Sequence, residues 1–153
     1  MTRYELFKFL HIAGAIIWLG AGVGLAFLWR RLARAGDAGS LRAFEAQNSA
    51  MGKFLFGPAT LLTLAFGVAM VVDSPIGFEE FWILIGFGGF IASGVAEGVF
   101  AGPAGKRFMA AAEEHGLDSP TAQAARRRVS LAGNIELLIL FAVVWAMVVK
   151  PTI

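Results

Sequence analysis

The chain has 153 residues, of which 58% are hydrophobic and only 16% charged, with a formal charge of +2 and no cysteine. Soluble domains carry about a quarter charged residues, so this balance excludes an ordinary water-soluble fold. The missing cysteine excludes a disulfide framework, a thiolate metal site and a cysteine nucleophile, and so small a net charge gives no ground for a nucleic-acid partner.

Four apolar segments follow in order, at about residues 6–29, 54–72, 81–101 and 131–149. Each is long enough to cross roughly 30 Å of hydrocarbon as a helix rising about 1.5 Å per residue. The reading is a single all-α domain over 1–153, a polytopic up-down-up-down four-transmembrane-helix bundle. The first segment is longer than the apolar region of a signal peptide and lacks a small-residue cleavage site, so it is expected to stay in the protein. Arg30, Arg31, Arg34, Arg42 and Lys53 crowd the first connection, and Lys106, Arg107, Arg126, Arg127 and Arg128 the third. The second, Asp73 to Glu80, has three acids and no base. The positive-inside rule then makes 30–53 and 102–130 cytoplasmic, puts both termini outside, and offers anionic lipids a basic surface.

The connections carry helix punctuation of their own. The first helix should run through Arg34 to Gly36, and Ser40 should cap a new helix that bends near Gly57 and Pro58. The third should run past Pro103 to Gly116, with Asp118 or Ser119 capping the fourth and Pro120 in its first turn. Ala69-Met70-Val71-Val72 before Pro75 echoes Ala146-Met147-Val148-Val149 before Pro151. Together these features predict two helical hairpins related as parallel repeats. Gly20 and Gly24, and the row Gly86, Phe90, Gly94, Gly98, Gly102, have the small-residue spacing that lets helices pack closely within the bundle or against a second copy.

Ionisable residues inside the apolar segments are the functional candidates. His11 shares one face with Gly14, Trp18, Gly22 and Leu25, which is taken as the bundle-facing stripe. A histidine there can ligate a metal, move a proton, or simply hydrogen-bond a neighbouring helix. Glu97 and Glu136 sit at one depth near the cytoplasmic side, where with Ser93 and Asn134 they can form a proton or ion site. Alternatively Arg30, Lys53, Arg107 or Arg128 reaches inward to pair with them. About 14 Å of core separates the glutamates from His11, so direct contact is not expected. Met70 and Met147 do share its depth. His11 with these thioethers is a donor set for cuprous copper, or for the axial positions of haem, and Trp18 lies where it can pack against a flat ligand. The same residues are compatible with no cofactor at all, since methionine and tryptophan also serve as core filler. Trp29 and Trp82 suit interfacial belts. His115 ends a cytoplasmic helix, where a cation is favourable. No hydrolase triad or phosphate loop is present.

The run Lys-Phe-Leu-His-Ile-Ala-Gly-Ala-Ile-Ile-Trp-Leu-Gly from Lys8, the Phe56-Gly57-Pro58-Ala59 segment, Gly102-Pro103 and the closing Met-Val-Val-Lys-Pro carry a resemblance over nearly the whole chain. They resemble a family of uncharacterised bacterial integral membrane proteins. Mostly through the first helix, that family is distantly similar to the copper-resistance D membrane domain and to the haem-binding protoporphyrinogen oxidases. The resemblance implies a multi-pass protein of the prokaryotic plasma (inner) membrane, and a link between His11 and haem b. The oxidases carry an important lysine on a later helix, where the third apolar segment here has Glu97. Three functions stand side by side: a bundle holding haem b or copper through His11, a proton-coupled carrier of ions or small solutes using Glu97 and Glu136, and a non-catalytic assembly partner presenting its basic helices.

Overall fold

The computed structural model describes residues 1–152, apart from the Ser49 side chain. Its regular elements are all helical: α1 (Arg3–Ala35), α2 (Ala38–Met51), a π-helical turn (Gly52–Phe56), α3 (Gly57–Val72), α4 (Phe81–Val95), a second π turn (Ala96–Ala101), α5 (Gly102–His115) and α6 (Pro120–Val149). Because the π turns do not break the chain's course, these make four rods, Arg3–Ala35, Ala38–Val72, Phe81–His115 and Pro120–Val149, each long and apolar enough to cross a membrane.

Local chemistry sets the ends of the rods. Thr2 and Glu5 form a reciprocal capping box at the start of α1, and Gly36 closes it at φ 72°. Gly116, at φ 85° and ψ 156°, ends α5 with its amide on the Ala112 carbonyl, and the Ser119 hydroxyl accepts the amide of Ala122 to start α6. The start of α2 differs from expectation. Asp37, not Ser40, takes the capping role: its carboxylate accepts the Gly39 amide at 3.0 Å and the Ser40 hydroxyl at 2.5 Å. Those two bonds, the hydroxyl foremost, hold the Asp37 carboxyl below the usual aspartate range.

The two π turns share one cause. Pro58 and Pro103 lack an amide hydrogen, and their rings would clash with the carbonyl four residues back. Widening the preceding turn relieves this, with the Gly57 amide bonding to Gly52 and the Gly102 amide to Glu97.

The rods associate as two hairpins. Backbone approaches are dense between α1 and α3 and between α4–α5 and α6, thinner between α1 and α6, and nearly absent between α3 and α4. Where rods cross closely, glycine permits it. A Cβ on Gly14 would lie 3.0 Å from the Ala59 carbonyl and 2.5 Å from Thr63 Oγ1, and Gly89 faces Val143. By contrast Gly20, Gly24, Gly94 and Gly98 are exposed with nothing within 4 Å, so these parts of the small-residue rows meet no other rod, while Gly86 in the same row meets Met147. Helical spacing finds the face of such a stripe but not the direction in which it points.

The densest core lies at the arginine-rich end. Trp29, Ala33, Leu41, Phe44, Phe108, Ala111 and Ala122 cluster there, drawn from all four rods, with Leu41 wholly buried and Phe108 only 1% exposed. Trp29 stacks edge-on to Phe108 at 5.8 Å and so belongs to this core rather than to an interfacial belt. An Arg42–Glu113 ion pair of 3.0 Å ties the hairpins here, and an Arg3–Asp73 pair of 2.5 Å ties the first at its other end.

Two predictions follow for unfolding of the purified protein. Phe108→Ala should lower stability by about 3–5 kcal/mol, whereas Phe141→Ala, at a 53% exposed position, should cost far less. Gly14→Ala should destabilise by roughly 1–3 kcal/mol through its backbone clash, while Gly20→Ala should be neutral or stabilising.

Candidate functional site

The termini end of the bundle holds a cavity of about 530 Å³ lined by residues of all four rods, among them His11, Trp18, Met70 and Met147. The four residues expected at a cofactor site thus share one wall. The stripe of α1 brings them there: Gly14 lets α1 approach α3, which seats His11 one turn earlier against Gly67, and Trp18 one turn later against Phe90 at 6.0 Å.

His11 is held in one orientation. Its Nδ1 lies 2.7 Å from the Thr63 carbonyl, and a Cβ on Gly67 would fall 3.0 Å from that same atom. A carbonyl only accepts, so Nδ1 carries a proton, and in the neutral tautomer that bond leaves the lone pair on Nε2. The Nδ1–Cε1 edge is turned to α3, and no hydrogen bond to Nε2 occurs among the described residues. A ring fixed through Nδ1 to a backbone carbonyl is the arrangement that second-shell bonds give to metal-ligating histidines. Met147 packs into the notch at Gly86, and the remaining wall is mostly aliphatic and aromatic, including Phe87, Leu140 and Val143. At this volume and polarity the cavity matches ordinary small-molecule sites of roughly 300–1,000 Å³.

The acidic residues gather elsewhere. Ser93, 2% exposed, donates to Glu136 at 3.2 Å. The Glu97 carboxyl lies along its own rod, 3.9 Å from the Cβ position of Gly102, and a Glu45 carboxyl oxygen reaches within 3.9 Å of that of Gly105. Carboxyls from three rods therefore line up along the third, and none forms an ion pair among the described residues. The inward-reaching bases expected to neutralise them do not. Arg30 bonds to Asn134, which removes Asn134 from the acidic group, and Lys53 lies over Phe54 at 5.4 Å. Nearby, the buried Trp29 indole N–H faces Glu45 without closing a hydrogen bond. No set of three or more His, Asp or Glu residues close enough to hold a metal occurs among the described residues. Glu45 escaped the sequence reading because it lies in a connection; its place in an amphipathic helix beside Leu41 and Phe44 was the available signal.

Lys8, Tyr4, Trp82 and Lys150 also line the cavity. Trp82, expected in an interfacial belt, thus faces the cavity, and the two lysines flank their spans as ordinary interfacial residues do.

Neither a curated protein nor a solved structure matches the chain. A family model does, over residues 5–151, which include every helix core, the His11 cavity and the acidic line. The chain therefore belongs to the DUF2269 family of predicted integral membrane proteins.

Proposed function

We propose that this protein is a ligand-binding bundle whose cavity at the termini end, the outer side by the positive-inside rule, takes haem b with His11 as the iron ligand. The observation that carries this reading is the fixed imidazole: Nδ1 bound to the Thr63 carbonyl and Nε2 free beside a large apolar cavity. The donor chemistry fits the group. A neutral imidazole suits haem iron, Met70 and Met147 offer thioethers on two other rods, and Trp18, Phe87 and Phe90 supply flat surfaces for a macrocycle. Haem, when bound, supplies one-electron or gas-binding chemistry. The chain's own part is to fix the imidazole, keep water from the apolar wall and set the group's depth. The same His and Met set would accept cuprous copper, which metal analysis separates from haem.

An absorbance spectrum of detergent-purified protein from haem-sufficient cells, with metal analysis, tests the reading. A Soret band is expected, lost in His11→Ala and shifted or weakened in Gly67→Ala, whose new methyl would crowd the ring. A colourless, metal-free protein that does not take up added haem would sink it.

The line of carboxyls favours a second reading, a proton-coupled carrier, because acidic groups without a basic partner on membrane-spanning rods, Glu136 half-buried and Glu97 exposed, are costly unless they serve transport. In proteoliposomes the Glu97→Gln, Glu136→Gln double variant should abolish pH-dependent flux. Unchanged flux would leave these residues a packing role only.

A further inference from the structure

We infer that the cavity's ligand is an anionic amphiphile, with its apolar body among Trp18, Phe87 and Phe90 and its anionic group between Lys8 and Lys150. This rests on reading the cavity as a ligand site and adds the ligand's charge to it.

The wall is apolar apart from a few residues, and those are unevenly placed. His11 and Thr63 lie within the bundle, bonded to each other. The formal charges on the wall are Lys8, on the first rod, and Lys150, just past the fourth, and both are cations. Neither forms an ion pair among the described residues. The acids near the first rod's start are already engaged: Asp73 with Arg3, and Glu5 with the Thr2 amide. Each ammonium rests instead on an aromatic ring, Lys8 at 5.5 Å from that of Tyr4 and Lys150 at 5.1 Å from that of Trp82. Such contacts steady the stem while leaving the ammonium hydrogens free to donate.

The backbone at Lys150 adds an independent observation. It is the one non-glycine residue with positive φ among the described residues, at φ 51° and ψ 59°. This left-handed residue is the C-cap of α6, its amide on the Ala146 carbonyl, and it sets where the lysine stem leaves the rod. Two unpaired cations at the rim of an apolar cavity match a carboxylate-bearing hydrophobe, which a porphyrin diacid and a fatty-acid anion both are.

The test uses the full-length protein in neutral detergent, with quenching of tryptophan fluorescence as the readout, since Trp18 and Trp82 line the cavity. The probes are metal-free protoporphyrin, its dimethyl ester, oleate and methyl oleate. The diacid should bind roughly tenfold more tightly than its ester, about threefold per lysine, as expected for partly solvated charge pairs. Lys8→Gln with Lys150→Gln should bring the diacid to the ester's affinity and leave the ester's unchanged, while the corresponding Lys→Arg pair should retain the difference. Displacement of the diacid by oleate but not methyl oleate would assign the site to fatty-acid anions, and its absence to porphyrins. Because these probes carry no iron, their binding is read independently of any haem band. A missing haem band therefore removes the haem reading alone. Equal binding of diacid and ester, or Gln variants without effect at unchanged helicity and melting temperature, would overturn the inference.

Discussion

Hydrocarbon gives apolar side chains no reason to leave it, so the four rods cannot be held together across the bilayer by the force that folds soluble proteins. This constraint explains where the structure places its contacts. Across the span, association rests on close backbone approach at Gly14 and Gly89 and on polar clasps such as His11 to Thr63 and Ser93 to Glu136. At the arginine-rich end the rods leave the apolar stretch, and there a conventional core of Trp29, Leu41, Phe44 and Phe108 can form. That end couples the hairpins, and the opposite end is free to enclose space.

Much of this was legible in the sequence. Segment length, loop charge and the glycine and proline punctuation gave four rods ending at Gly36 and Gly116 and starting again at Ser119. The stripe of His11, Gly14 and Trp18 was readable because helical periodicity and the cost of a histidine in lipid both point inward. What stayed hidden depended on partners from other rods. Whether Gly20 or Gly14 meets a neighbour is a matter of helix rotation, which spacing alone leaves open. Trp29 looked interfacial because nothing in its own segment announces that Leu41, Phe44 and Phe108 will surround it. The same holds for Arg30, whose nearest acceptor is Asn134 and not a glutamate.

The two candidate sites divide the bundle by chemistry. One holds an imidazole, thioethers and aromatic rings; the other holds carboxyls with a buried serine. Met70 and Met147 occupy matching places before the ends of α3 and α6 and reach the same cavity. His11 has no such twin. Two similar hairpins frame the space, and residues unique to one of them give it chemistry.

The nearly contactless flank between α3 and α4 has a bearing on how the cavity is reached. In a bilayer the outer faces of both rods meet acyl chains and not water. Occupancy is then governed by how strongly a compound dissolves in the bilayer, multiplied by its affinity for the wall. A sparingly water-soluble molecule concentrated in the membrane then reaches the bundle by partition, without crossing the aqueous phase.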